Sequence, residues 1–123
     1  MLNRKFRLTR SIDFKRVKQS GKSFANPLLI LIKQPNPNGT IQIGITAGKA
    51  VGNAVLRNRA KRRIRASLNS FLSNLQPGWD LVFLARKPIS NATYLELMEA
   101  EKQLLNRAGI FREENEVNHG SPS

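Results

Sequence analysis

Asn53-Ala54-Val55-Leu56-Arg57-Asn58-Arg59-Ala60-Lys61-Arg62-Arg63-Ile64-Arg65, continuing through Leu68, Phe71 and Leu72 to Leu75, is the segment on which the reading of the fold turns. Leu56, Ala60, Ile64, Leu68, Phe71, Leu72 and Leu75 recur at helical spacing. Asn53 is a candidate cap, so a long helix is predicted from about Asn53 to about Leu75, ending before Pro77-Gly78. Upstream, Ile41, Ile43 and Ile45 alternate with Gln42, Gly44 and Thr46, the pattern of a half-buried strand. Downstream, Asp80-Leu81-Val82-Phe83-Leu84-Ala85 reads as another strand. Ile41 to Ala85 is thus a strand–helix–strand unit able to join parallel strands, with a right-handed crossover on general grounds.

Working outward, Leu28-Leu29-Ile30-Leu31-Ile32 is a wholly apolar run, read as a strand buried on much of both faces. Pro35-Asn36-Pro37-Asn38-Gly39 is a turn, so this run and the Ile41–Ile45 strand are expected to pair as a hairpin. A short helix is predicted from Ile12 to Gln19, with Ser11 as its N-cap, Asp13 in its first turn and Gly21 as its stop. Thr93 and Glu96 form a capping box opening a last helix, whose stripe is Tyr94, Leu97, Met98, Leu104, Leu105 and Ala108 and whose stop is Gly109. The expected fold class is α+β: a small single-domain α/β sandwich with an about four-stranded mixed sheet, in αβββαβα order. Residues 1–112 are expected to form the domain, with 1–10 as a basic arm and 113–123 as a disordered tail.

The 123 residues carry a formal net charge of +13. Residues 1–95 hold 18 Lys and Arg against only Asp13 and Asp80, while the remainder is mildly acidic. Six of the nine residues from Arg57 to Arg65 are basic and none is acidic. Ordinary solvated helix faces mix the two signs, whereas such a cluster repels itself until a polyanion neutralises it and releases counterions. Arginine, which dominates here, suits bidentate phosphate contacts and stacking on bases. Arg57 and Lys61 point along the apolar direction of the helix, and burying them unpaired would be costly. The first turns are therefore expected to overhang the sheet, with both side chains facing out beside the Gly48–Gly52 loop.

No cysteine is present, which excludes disulfides and thiolate metal sites. No apolar run approaches the roughly 20 residues of a bilayer span, nor does the N-terminus carry a signal-peptide pattern. A basic amphipathic helix can lie on anionic lipid, but this one lacks Trp or Phe on its basic half. A cytoplasmic protein with no membrane partner is expected. A metal-dependent nuclease needs several converging carboxylates. Asp13 and Asp80 stand apart, Glu96, Glu99 and Glu101 do not share one helix face, and the only histidine, His119, falls in the expected tail. No catalytic or metal-binding residues are assigned.

The spacing of Gly52, Asn53, Ala54, Arg57, Asn58, Arg59, Lys61 and Arg62 resembles the signature of the protein subunit of bacterial ribonuclease P. Ala85-Arg86-Lys87-Pro88, after a strand and before a helix with Thr93-Tyr94, is a second match. Leu8 to Gly21, with Asp13-Phe14 and Val17, is a third. The similarity covers roughly Leu8 to Ala108. It implies a sandwich with a left-handed strand–helix–strand crossover, against the general expectation above. It implies an accessory subunit whose catalytic partner is RNA, acting on precursor tRNA to remove the 5′ leader. Magnesium would be held mainly by the RNA and the substrate, with no cofactor intrinsic to the protein and no obligate protein partner.

Carried over by position, Arg57, Asn58, Arg59, Lys61, Arg62 and Arg65 are the candidate contacts to the catalytic RNA. Phe14 is the candidate aromatic of a leader cleft between the first helix and the sheet, although a single Phe on a short helix is by itself more often core. Lys18 stands where relatives often carry a second aromatic, and Ile32 where a tyrosine is common. Both are assigned to the leader site, with Arg86 and Lys87 on the same basic surface. Ala60 is smaller than the branched aliphatic usual at its position. Size and charge alone equally suit a structural RNA-binding protein such as a ribosomal component, and less well a DNA-binding module with its helix in a major groove.

Overall fold

Leu81, Val82 and Phe83 are completely buried, and their strand occupies the inside of the sheet. The computed structural model describes residues 4–112. Its four strands are β1 (Lys22–Ala25), β2 (Leu29–Pro35), β3 (Ile41–Ala47) and β4 (Trp79–Ala85), in the order β1-β2-β4-β3. β4 runs antiparallel to β2 and parallel to β3, while β1 pairs antiparallel with the other edge of β2. The expected hairpin between the Leu28–Ile32 and Ile41–Ile45 runs is therefore corrected: β4 separates them. A strand apolar on both faces is most stable with a neighbour on each side. The Asn36–Gly39 turn exists, but it steps over the start of β4. Asn36 N donates to Gly78 O, and Gly78 N to Thr40 O.

The helices are α1 (Ser11–Ser20), α2 (Ala54–Leu68) and α3 (Tyr94–Arg107). Leu29, Leu31, Ile43, Leu81 and Phe83 face α2 and α3 and pack on Ile64, Leu68, Leu97, Leu104 and Leu105. The opposite face places Ile32 and Val82 beneath Val17 of α1 and Leu8. Each such side chain, fully buried, contributes roughly 1.5–3 kcal/mol. The crossover from β3 to β4 runs through α2, as the sequence unit predicts.

Several boundaries differ from expectation. Ser11 is the first residue of α1 rather than its cap; Arg10 holds the cap position without a side-chain bond. Gly21 ends α1 in an extended conformation, and a Cβ there would lie 2.5 Å from Val17 O and 2.6 Å from an Ile32 methyl. Crowding, not a left-handed cap, asks for glycine. α2 ends at Leu68 and continues as a 3-10 segment, Asn69–Asn74, so Phe71 and Leu72 reach the core border from a tighter spiral. The N-terminal stretch is docked from Arg4 onward: Leu8 N donates to Ile43 O at 2.8 Å, extending the outer edge of β3. The Thr93–Glu96 capping box forms in both directions. Tyr94 of the expected α3 stripe is instead exposed. The tail assigned to 113–123, with His119, lies outside the described residues.

Candidate nucleic-acid interface

Three residues before α2 set its basic face. Val51 is buried and anchors a 3-10 turn over Lys49–Val51. Gly52 follows at φ +140°, which L side chains rarely adopt. Asn53 then accepts Leu56 N on its side-chain oxygen at 3.0 Å, capping the helix as expected. The first turn carries no acid, so the positive end of the helix dipole adds to the side-chain charge.

Ala60 is the first buried residue of α2, which leaves the preceding turn and a half overhanging the core. Asn58, Arg59 and Arg62 are exposed, while Arg57, Lys61 and Arg65 are half-buried. Arg57 folds back and donates to Gly52 O at 3.2 Å, so its position in the apolar direction is met by the loop. Among the described residues, no ion pair joins any cation from Arg57 to Arg65 to a carboxylate. Arg63 differs in role: it donates to Ile89 O and Ala92 O, tying α2 to the turn that leads into α3.

Arg65 stands where the ridge meets a groove. With Arg7, Leu8, Thr9, Phe14, Ile43 and Ile45 it lines a cleft of about 240 Å³ at the outer edge of β3. Phe14 is half-buried and leans on Gly44. Burial, and secondly the charge of Arg7, pulls the Arg65 guanidinium below its ordinary value. An anion between the two guanidinium groups would relieve that repulsion.

The remaining candidates fall elsewhere. Lys18 is exposed on α1. Ile32 is only 8% exposed and belongs to the packing beneath α1. Arg86 and Lys87 are exposed at the end of β4, outside the lining of the Phe14 cleft. One Arg86 nitrogen is committed to Asn26 O at 2.9 Å. Arg7 and Gly44 are not among the sequence candidates. A glycine inside an alternating strand is itself a sign of close approach, whereas Arg7 reaches the cleft through a contact with no local signature.

Among the described residues no group of three or more His, Asp or Glu could hold a metal ion. Asp13 and Asp80 are both engaged by Arg16, at 3.3 and 2.7 Å. Glu101 is fully buried, and burial pushes its carboxyl up to about 9. This donor set does not suit magnesium. Nor is any helix among the described residues long and apolar enough to cross a membrane.

Comparison with known proteins agrees with this arrangement. The family model described as Ribonuclease P matches residues 2–109. The ribonuclease P protein component of Clostridium kluyveri is 38% identical over 109 residues, covering 87% of this chain and 97% of that protein. The corresponding protein of Clostridium novyi is 41% identical over 107 residues, covering 85% and 95%. Among solved structures, the Staphylococcus aureus RNase P protein superposes with a TM-score of 0.79 at 30% identity, covering 87% of this chain and 98% of that one. The Thermotoga maritima RNase P protein gives 0.74 at 27% identity, covering 82% and 96%. With the capped arginine helix, the sheet order and these matches pointing the same way, the chain belongs to the ribonuclease P protein family.

Proposed function

We propose that α2 serves two RNA contacts at once. Its outer ridge, Asn58, Arg59 and Arg62 flanked by Arg57 and Lys61, docks on the catalytic RNA subunit. Its inner edge, Arg65, by sequence a candidate contact to the catalytic RNA, lines the cleft with Phe14 and in our reading takes the 5′ leader of precursor tRNA instead, with Lys18 adding charge from α1. Ile32 serves that site by packing under α1, and Arg86 and Lys87 extend the basic surface at the sheet end. The observation that carries this reading is the junction of the ridge, which no carboxylate among the described residues pairs, with a cleft walled by an aromatic ring and two guanidinium groups.

The chain is the protein subunit of ribonuclease P, an accessory component of the enzyme that forms the mature 5′ end of tRNA, and its partner is RNA. In our reading it supplies no reacting group. It positions two polyanions whose mutual repulsion its field offsets, and magnesium sits with the RNA and the substrate. The site of action is the cytoplasm.

The test is reconstitution at limiting magnesium and low salt. The chain alone leaves precursor tRNA intact, and added to the cognate RNA it accelerates leader removal. Equal rates with and without the protein would defeat the reading and favour a structural RNA-binding role.

A further inference from the structure

α1 is ten residues long, and Val17 is its one fully buried side chain. A helix this short has little stability of its own, and its apolar hold on the sheet is Val17 with the half-buried Phe14 packed beside it. A further anchor is polar. Arg16 donates to Asp80 Oδ2 at 2.7 Å, to Asp13 Oδ1 at 3.3 Å and to the Gln34 side-chain oxygen. Asp80 is 4% exposed on β4, and its other oxygen accepts from Asn36 at 3.1 Å. One guanidinium thus joins α1 to β2 and β4. Phe14, half a turn earlier, rests against Gly44 of β3.

We propose that Arg16 is a positioning residue for the leader cleft: by fixing the roll of α1 on the sheet it sets how Phe14 faces Arg65, without itself touching RNA. This rests on the leader-cleft reading above. It also accounts for the placing of acids in so basic a body. Residues 1–95 hold two carboxylates, and both are engaged by this one arginine. A chain whose field attracts RNA keeps acid only where it fixes geometry.

The two possible roles of Arg16 predict opposite signs for its partner. Asp80→Asn raises the net positive charge. If Arg16 acted only as part of the positive field, Asp80→Asn would tighten binding of every RNA. If Arg16 positions Phe14, Asp80→Asn weakens leader binding. The experiment measures holoenzyme affinity for precursor tRNA with a leader and for mature tRNA, using wild type, Phe14→Ala, Arg16→Gln, Asp80→Asn and the Phe14→Ala/Arg16→Gln double variant. Helical circular dichroism confirms folding, and Arg16→Gln, at a partly exposed position, remains informative where Asp80→Asn does not fold.

The expected result is about a tenfold loss for leader-bearing substrate in Arg16→Gln and Asp80→Asn, with mature tRNA within twofold of wild type. The salt slope of Arg16→Gln stays unchanged, since this arginine neutralises no phosphate, and the double variant is no worse than Phe14→Ala alone. Additive losses, or tighter binding by Asp80→Asn, would overturn the positioning role while leaving the cleft assignment standing. A Phe14→Ala variant that treats both RNAs alike would overturn both.

Discussion

Phe14 lies so close to Gly44 that a Cβ on the glycine would sit 2.6 Å from the far carbon of its ring and 3.3 Å from the Leu8 Cβ. The edge strand therefore sets the depth of the cleft, and only a residue without a side chain lets the ring settle there. Gly44→Ala is expected to push the ring outward. The ring is half-buried and can move, so the variant folds with a cost of about 1–3 kcal/mol from overpacking. Affinity for leader-bearing precursor tRNA changes while affinity for mature tRNA does not. Binding measured with the two RNAs checks this; equal changes in both would place the ring outside the leader site.

Arg59, on the overhanging part of α2, and Arg62, just beyond it, are exposed with no carboxylate partner among the described residues. Arg59→Ala and Arg62→Ala should each weaken binding to the catalytic RNA and lower the log–log salt slope by about 0.7–0.9 for each phosphate left unneutralised. Titrations at several salt concentrations decide it, and unchanged slopes in both variants would move the RNA surface elsewhere.

Arg63 sits in the same run with a different task. Its two terminal nitrogens hold Ile89 O and Ala92 O. Arg63→Ala should lower stability by about 1–3 kcal/mol through the loss of charged hydrogen bonds to partly buried carbonyls, and leave the salt slope of RNA binding near wild type. Urea unfolding paired with the same titrations separates it from its neighbours. Arg63→Lys should not restore stability, because one ammonium lacks the planar fork that spans both carbonyls.

What is legible in the chain is what is local. The Asn53 cap, the Thr93–Glu96 box and the period of α2 as far as Leu68 are set by residues within a few positions of one another, and each stands where the sequence places it. The hairpin expectation rests on Asn38-Gly39, whereas the stronger sign lies further on. Leu81-Val82-Phe83, apolar without alternation, marks a strand with both faces covered, and such strands sit inside sheets. The ridge is legible because charge needs no partner to be noticed. The cleft is legible only at Phe14. Arg7 and Gly44 meet it through contacts across the sheet edge, Arg16 bonds from α1 to β4 outside its lining, and a single sequence carries no record of those distances.

Ser67 Oγ lies 2.6 Å from Glu101 Oε2 between α2 and α3, and both residues are fully buried. The other Glu101 oxygen has no hydrogen-bond partner among the described residues. Burial raises this carboxyl from 4.5 to about 9, against a smaller lowering by Ser67. In the unfolded chain it ionises near 4.5, so between about pH 4.5 and 9 the folded state holds one proton more than the unfolded state. Its contribution to stability is complete below the lower value and declines as pH rises, by at most about 1.4 kcal/mol per unit. Glu101→Gln, neutral at every pH, removes this dependence. The variant should melt above wild type at about pH 8, approach it near pH 5, and show a flatter stability profile between. Thermal melts across that range test it. Parallel profiles for the two proteins would mean that the carboxylate is already charged inside the fold, stabilised by a contact other than Ser67.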